Sequence, residues 1–223
     1  MNDFKKKILE FYELRRGNED LTESNKRQQE MLAQLQKSNH IELIEVLNRD
    51  VQQLILEYNE YPSQIKRRGL IRAIFAYIEG NVFKIKEEVL IEESHKRQPT
   101  LDIEEMVLLK EASPYINNKG KVKSTVKYSE LSANIRFTLN CYAKSAQINH
   151  TLDLNGQEWE CLIESIRVRN RITHPKSALE LEISENELVK AFISYLYFKK
   201  VIVDFFEVKT LKLKGTTPGQ IIF

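Results

Sequence analysis

The chain has 223 residues, of which 30% are charged and 42% hydrophobic, and its formal net charge is +2. The apolar share excludes general disorder, and so even a charge balance makes no global electrostatic case for nucleic acid. Gly (7) and Pro (5) are scarce while Leu, Ile, Glu and Lys abound, which predicts long helices and an all-α fold.

The first segment, "DFKKKILEFYELRR", places Phe4, Ile8 and Leu9 with Phe11 or Tyr12 on one side and reads as a short amphipathic helix ending near Gly17. Its basic run is followed by no long apolar core, so no signal peptide is expected. Residues 22–58 contain neither Gly nor Pro and predict a helix of roughly 50 Å. Ile44, Leu47, Val51, Leu54 and Tyr58 alternate spacings of three and four, an a/d seam about two heptads long. Such a helix either lies on its own domain or forms an intermolecular coiled coil.

Pro62 and Ser63 mark the start of the next helix. Its stripe of Ile71, Ile74, Ile78, Ile85 and Val89, broadened by Phe75, Tyr77, Val82 and Phe83, predicts a central core helix. "TLDIEEMVLLKEA" is a shorter helix, and "SPYINNKGKVKSTVKY" a lysine-rich loop or short hairpin. Between 113 and 145, Lys119, Lys121, Lys123, Lys127, Arg136 and Lys144 are set against one acid, Glu130, so the loop at 119–127 is a candidate phosphate-binding track or a solvated surface. "YSELSANIRFTLNCYAKSAQIN" is helical, with Ser129 or Ser132 as its cap. "LNGQEWECLIESIRVRNRITHP" follows, with Trp159, Leu162, Ile163 and Ile166 inward and Pro175 as its stop. Ser184 and Glu187 form a capping box that opens the last helix, 185–208. The tail 209–223 is expected to be extended or loose. The domains expected are a helical extension at 1–61, a bundle at 62–208 and the tail.

No run of about 18 apolar residues offers a membrane span. Cys141 and Cys161 form no CxxC pair, which argues against a disulfide scaffold or zinc site and for a reducing compartment. His40, His95 and His150 match no metal-ligand spacing, and no P-loop, GxGxxG or GxSxG is present. Cys161, Tyr195, Tyr197 and Phe198 read as core residues.

The stretch that stands out is "ESIRVRNRITHPKS", residues 164–177. Pro175 disfavours helical backbone at His174, so His174 is expected half out of the helix. Asn170, four residues earlier, shares its face. Arg169 is five back, a rotation of about 140°, and meets His174 only if the helix end changes pitch. Cations at a helix C-terminus also gain about 0.3–1 kcal/mol each from the macrodipole, so Arg167 and Arg171 have an ordinary electrostatic reading.

"RNRITH" is an Arg-x4-His motif with a polar residue after the arginine, and it resembles the signature of the HEPN superfamily. These are small helical bundles, many of them metal-independent ribonucleases. The helical order also resembles that family, with the motif ending one helix and a final helix after it. "RRGLIRAIFAYIEGNVF" is similar to the family's first core helix, where an acidic residue faces the site, a role carried to Glu79. The likeness spans about 62–208, and its specific part is six residues.

The resemblance implies an endoribonuclease acting in phage defence or as a toxin, without metal or other cofactor, in the cytoplasm. Its partners would be RNA, a second copy in a two-fold dimer, and an antitoxin or other protein, with no membrane. His174 would be the general acid/base and Arg169 the phosphate binder, since imidazole titrates near neutrality and guanidinium grips phosphate with a fixed charge. Asn170 would orient His174 or a phosphate, and Arg171 and Lys176 would contact the RNA backbone. The alternative is a non-catalytic HEPN-like module that binds RNA, a nucleotide or a protein.

Overall fold

The computed structural model describes residues 39–126 and 129–213. Among them are six helices, a two-stranded hairpin and one 3-10 turn. The helices are α1 (Asn39–Glu60), α2 (Gln64–His95), α3 (Ile103–Leu109), α4 (Leu131–Ala146), α5 (Gln157–Thr173) and α6 (Glu185–Leu213), and the strands are β1 (Ala112–Ile116) and β2 (Val122–Val126). The first amphipathic segment and residues 22–38 of the long predicted helix lie outside the described residues, as do 127–128 and the tail from 214. No helix among the described residues is long and apolar enough to cross a membrane.

The chain divides into two compact units. The first takes its described residues from 39–80 and 153–207. Here α1, the first half of α2, α5 and most of α6 pack as a helical bundle. The α1 seam turns onto the chain's own bundle: Val51 and Tyr58 are buried, and a Cβ on Gly80 of α2 would lie 2.6 Å from Leu47 Cδ1. Glycine there lets the two helices approach closely. The Tyr195 hydroxyl of α6 donates to Asn48 Oδ1 and Ser194 Oγ to Ser165 Oγ (3.2 Å), which tie α6 to α1 and α5. Residues 39–60, expected in an N-terminal extension, thus form part of this unit.

Local chemistry explains the helix starts. Ser63 Oγ accepts from Lys66 N–H (3.3 Å) at the head of α2. At α6 the expected capping box is present, with Glu187 N–H on Ser184 Oγ (3.2 Å) and Ser184 N–H on Glu187 Oε2 (2.8 Å).

The second unit takes its described residues from 81–152 and 208–213. Glu93 is buried and accepts from Thr100 N–H (2.7 Å), Leu101 N–H (2.9 Å), Ser145 Oγ (2.7 Å) and Thr100 Oγ1 (2.6 Å), besides its ion pair with Lys96. Asp102 and Glu105 close a capping box at α3. That helix stops where Glu111 takes a left-handed backbone (φ 50°), held by Lys86 Nζ and Asn134 Nδ2 on its carboxylate.

Of the two readings of the lysine-rich segment, the short hairpin is the one present, antiparallel with Ala112 opposite Val126 and Ile116 opposite Val122. Several other expectations are corrected. Neither Ser129 nor Ser132 caps α4: it starts after Glu130, and Ser132, already inside the helix, donates to Glu130 Oε1 (2.9 Å). Phe83 is 53% exposed, because it shares the outward face of α2 with Ala76 and Ile91. Tyr197 is only half-buried, since its hydroxyl reaches out to Asp153 O (2.7 Å). Residues 209–213 continue α6. Lys209 pairs with Glu88 (2.9 Å) and Glu92 (2.8 Å), while Lys212 caps the exposed carbonyls of Ala146 (3.0 Å) and Gln147 (2.7 Å) at the end of α4.

Candidate functional site

The site lies in the first unit, at the C-terminal end of α5. Trp159, Leu162, Ile166 and Ile172 anchor this helix in the core, so its opposite face carries the polar motif. The helix stays regular through Thr173. His174 then leaves it with φ −126° and ψ 58°, while its N–H still closes on Asn170 O (3.1 Å). The expected half-out histidine is therefore present, exposed to solvent at the helix end.

Arg169 is the centre of the polar cluster. One guanidinium nitrogen donates to Asn170 Oδ1 (3.0 Å) and another pairs with Glu79 Oε1 of α2. The two helices thus bring together residues 90 positions apart. The Glu79 carboxyl is raised above its ordinary range: burial favours the neutral acid and outweighs the attraction of Arg169. The Arg169 side chain is 29% exposed and that of Glu79 40%, so both reach solvent.

The remaining motif residues divide. Arg171 donates to Glu182 O (2.8 Å) and pairs with Glu187 (3.0 Å), a bridge from α5 to the head of α6. Its guanidinium is thus engaged within the fold. Lys176 is exposed, and its backbone N–H donates to Glu180 Oε2 (2.8 Å). Arg167 is exposed, and Glu164, three residues earlier, pairs with Lys190 of α6.

Sequence reasoning missed a second set of side chains. The head of α2 holds Lys66, Arg67 and Arg68 with no acid in its first turn, at the helix end where the macrodipole disfavours cations. That placement is a legible signal of use elsewhere. Arg67 donates to Ile183 O (2.7 Å), Arg68 to Leu181 O (3.1 Å) and Arg72 to Ile172 O (3.3 Å). Gln64 clasps Ile183 from both sides, accepting its N–H (2.9 Å) and donating to its carbonyl (3.0 Å). Together they hold down both ends of the 172–183 segment that carries His174 and Lys176. Ile172 O is one of the last four carbonyls of α5, left without an intrahelical partner, so Arg72 caps the helix beside His174.

Among the described residues no three His, Cys, Asp or Glu side chains gather as a metal-ligand group. Comparison with protein-family models, curated proteins and solved structures gives no match.

Proposed function

We propose that the chain is a metal-independent endoribonuclease of the HEPN type that works as a two-fold dimer, in phage defence or as a toxin. The observation that carries this reading is the convergence of Arg169, Asn170 and Glu79 on the helix whose end carries the exposed His174. A raised carboxylate, a partly exposed arginine and an exposed imidazole are the groups that proton transfer at a phosphodiester needs.

In the proposed reaction an imidazole removes the proton from a ribose 2′-OH. The 2′-oxygen attacks phosphorus, and the bond to the 5′-oxygen breaks. A second imidazole, supplied by the partner copy in its protonated imidazolium form, gives its proton to that oxygen. The products are a 2′,3′-cyclic phosphate and a 5′-OH. Arg169 stabilises charge building on the phosphoryl oxygens. Asn170 fixes the Arg169 fork, and Glu79 holds that fork until a phosphate competes for it. Lys176 contacts the RNA backbone.

A second reading, a non-catalytic RNA-, nucleotide- or protein-binding module, is favoured by the same Glu79–Arg169 pair, since substrate has to displace a carboxylate. Incubation of RNA with the wild type, His174→Ala and Arg169→Ala in EDTA separates the two. Cleavage by the wild type alone is the expected result. Cleavage by all three proteins rules the assignment out, and salt-sensitive binding without product supports the module.

A further inference from the structure

The β1–β2 hairpin takes no part in the site described above. Its residues 112–126 include Lys119, Lys121 and Lys123 and no acid. Strand alternation gives it two unlike faces. One carries Tyr115 directly opposite Lys123, flanked by Ser113 and Thr125. The other carries Ile116 directly opposite Val122. Tyr115 is 48% exposed, and β2 is exposed along its whole length.

The tip is built to hold its shape. Asn117 Oδ1 accepts from both Lys119 N–H and Lys121 N–H, each at 3.0 Å. Gly120 takes φ +70°, a left-handed backbone where any side chain would be strained. Two lysines thus sit on a preformed turn, with a third beside an aromatic ring on one strand face. A cluster of cations without an acid, one of them directly opposite an exposed ring, matches single-stranded nucleic acid: phosphates meet ammonium groups and a base meets the ring. A protein partner would use the Ile116–Val122 face instead.

We infer that the hairpin is a binding arm for single-stranded RNA, in which Tyr115 stacks on a base and Lys119, Lys121 and Lys123 neutralise neighbouring phosphates. The choice of RNA over DNA rests on the reading of the α5 terminus; the charge and stacking argument stands apart from it.

The test is fluorescence anisotropy of a labelled, unstructured RNA of about 12 nucleotides with the full-length His174→Ala protein, so that substrate is not consumed. Tyr115→Ala weakens binding roughly tenfold, and Tyr115→Phe stays within about twofold. Replacing the three lysines by Gln lowers the magnitude of the log K against log salt slope by about 2. The double variant Ile116→Thr/Val122→Thr, with circular dichroism as the folding control, binds RNA like its parent. An unchanged slope in the lysine variant, or equal weakening by the Ile116/Val122 variant, overturns the inference. Cleavage by the wild type is scored separately. If hairpin variants lose binding and the wild type never cleaves, the α5 reading fails alone; if cleavage needs His174 but binding ignores the hairpin, this inference fails alone.

Discussion

Two glutamates on one helix have opposite fates. Glu93, near the end of α2, is buried, yet its carboxyl is held down at about 2: burial pushes it up, and hydrogen bonds from Lys96, Thr100, Leu101 and Ser145 outweigh that push. Glu79, fourteen residues earlier, reaches solvent, yet its carboxyl is raised, because burial is opposed by a single arginine. The difference is the number of donors. A carboxylate with every lone pair engaged knits a fold together, whereas one with too few donors keeps the capacity to exchange partners and protons. That contrast separates structural acids from candidate functional ones more sharply than burial does.

The largest effect expected from it is on stability. Glu93→Ala strands the Lys96 ammonium and the donors of Thr100, Leu101 and Ser145, and is expected to cost about 3–5 kcal/mol in urea unfolding; a loss under 1 kcal/mol would remove the contrast. Acid titration follows. A carboxyl depressed in the fold contributes stability that is present above its unfolded value of 4.5 and lost as pH falls toward about 2. The wild type should therefore lose on the order of 3 kcal/mol across that window, and Glu93→Gln should flatten this part of the curve.

Smaller effects come from the site. Arg72→Gln uncaps the end of α5 and is expected to cost about 1 kcal/mol. It should also lower kcat for RNA cleavage more than it raises KM, because His174 would lose its fixed backbone. Glu79→Gln is expected to change stability by less than about 1 kcal/mol, since the pair is solvent-screened. A raised carboxyl opposes folding once pH exceeds its unfolded value, so any change at neutral pH should favour the variant. The same substitution releases Arg169 and should tighten RNA binding a few-fold; weaker binding would mean that Glu79 positions Arg169 for phosphate rather than competing with it.

Much of the fold was legible where one local rule governed it. The wide apolar stripe of α2, the Ser184 capping box and the Pro175 stop all follow from spacing and backbone chemistry, and each is present. The α1 seam left two readings open because a/d spacing is the same whether the partner is the chain itself or another copy; Gly80 under Leu47 decides it for residues 39–60. The end of α6 was misread because residues 209–213 carry no strong helical pattern, and their order comes from the distant partners of Lys209 and Lys212. At the site, the position of His174 followed from the proline after it. The spending of Arg171 on Glu187 did not, because a basic run looks the same whether its charges are free or paired.

The central proposal is that Arg169 and His174 act on one RNA phosphodiester. Its most direct test is product analysis after RNA is incubated with purified wild type and His174→Ala in EDTA. The proposal predicts fragments ending in 2′,3′-cyclic phosphate and 5′-OH from the wild type, with a rate about 100- to 10,000-fold lower in the variant. Equal rates, or products ending in a 5′-phosphate, would contradict it.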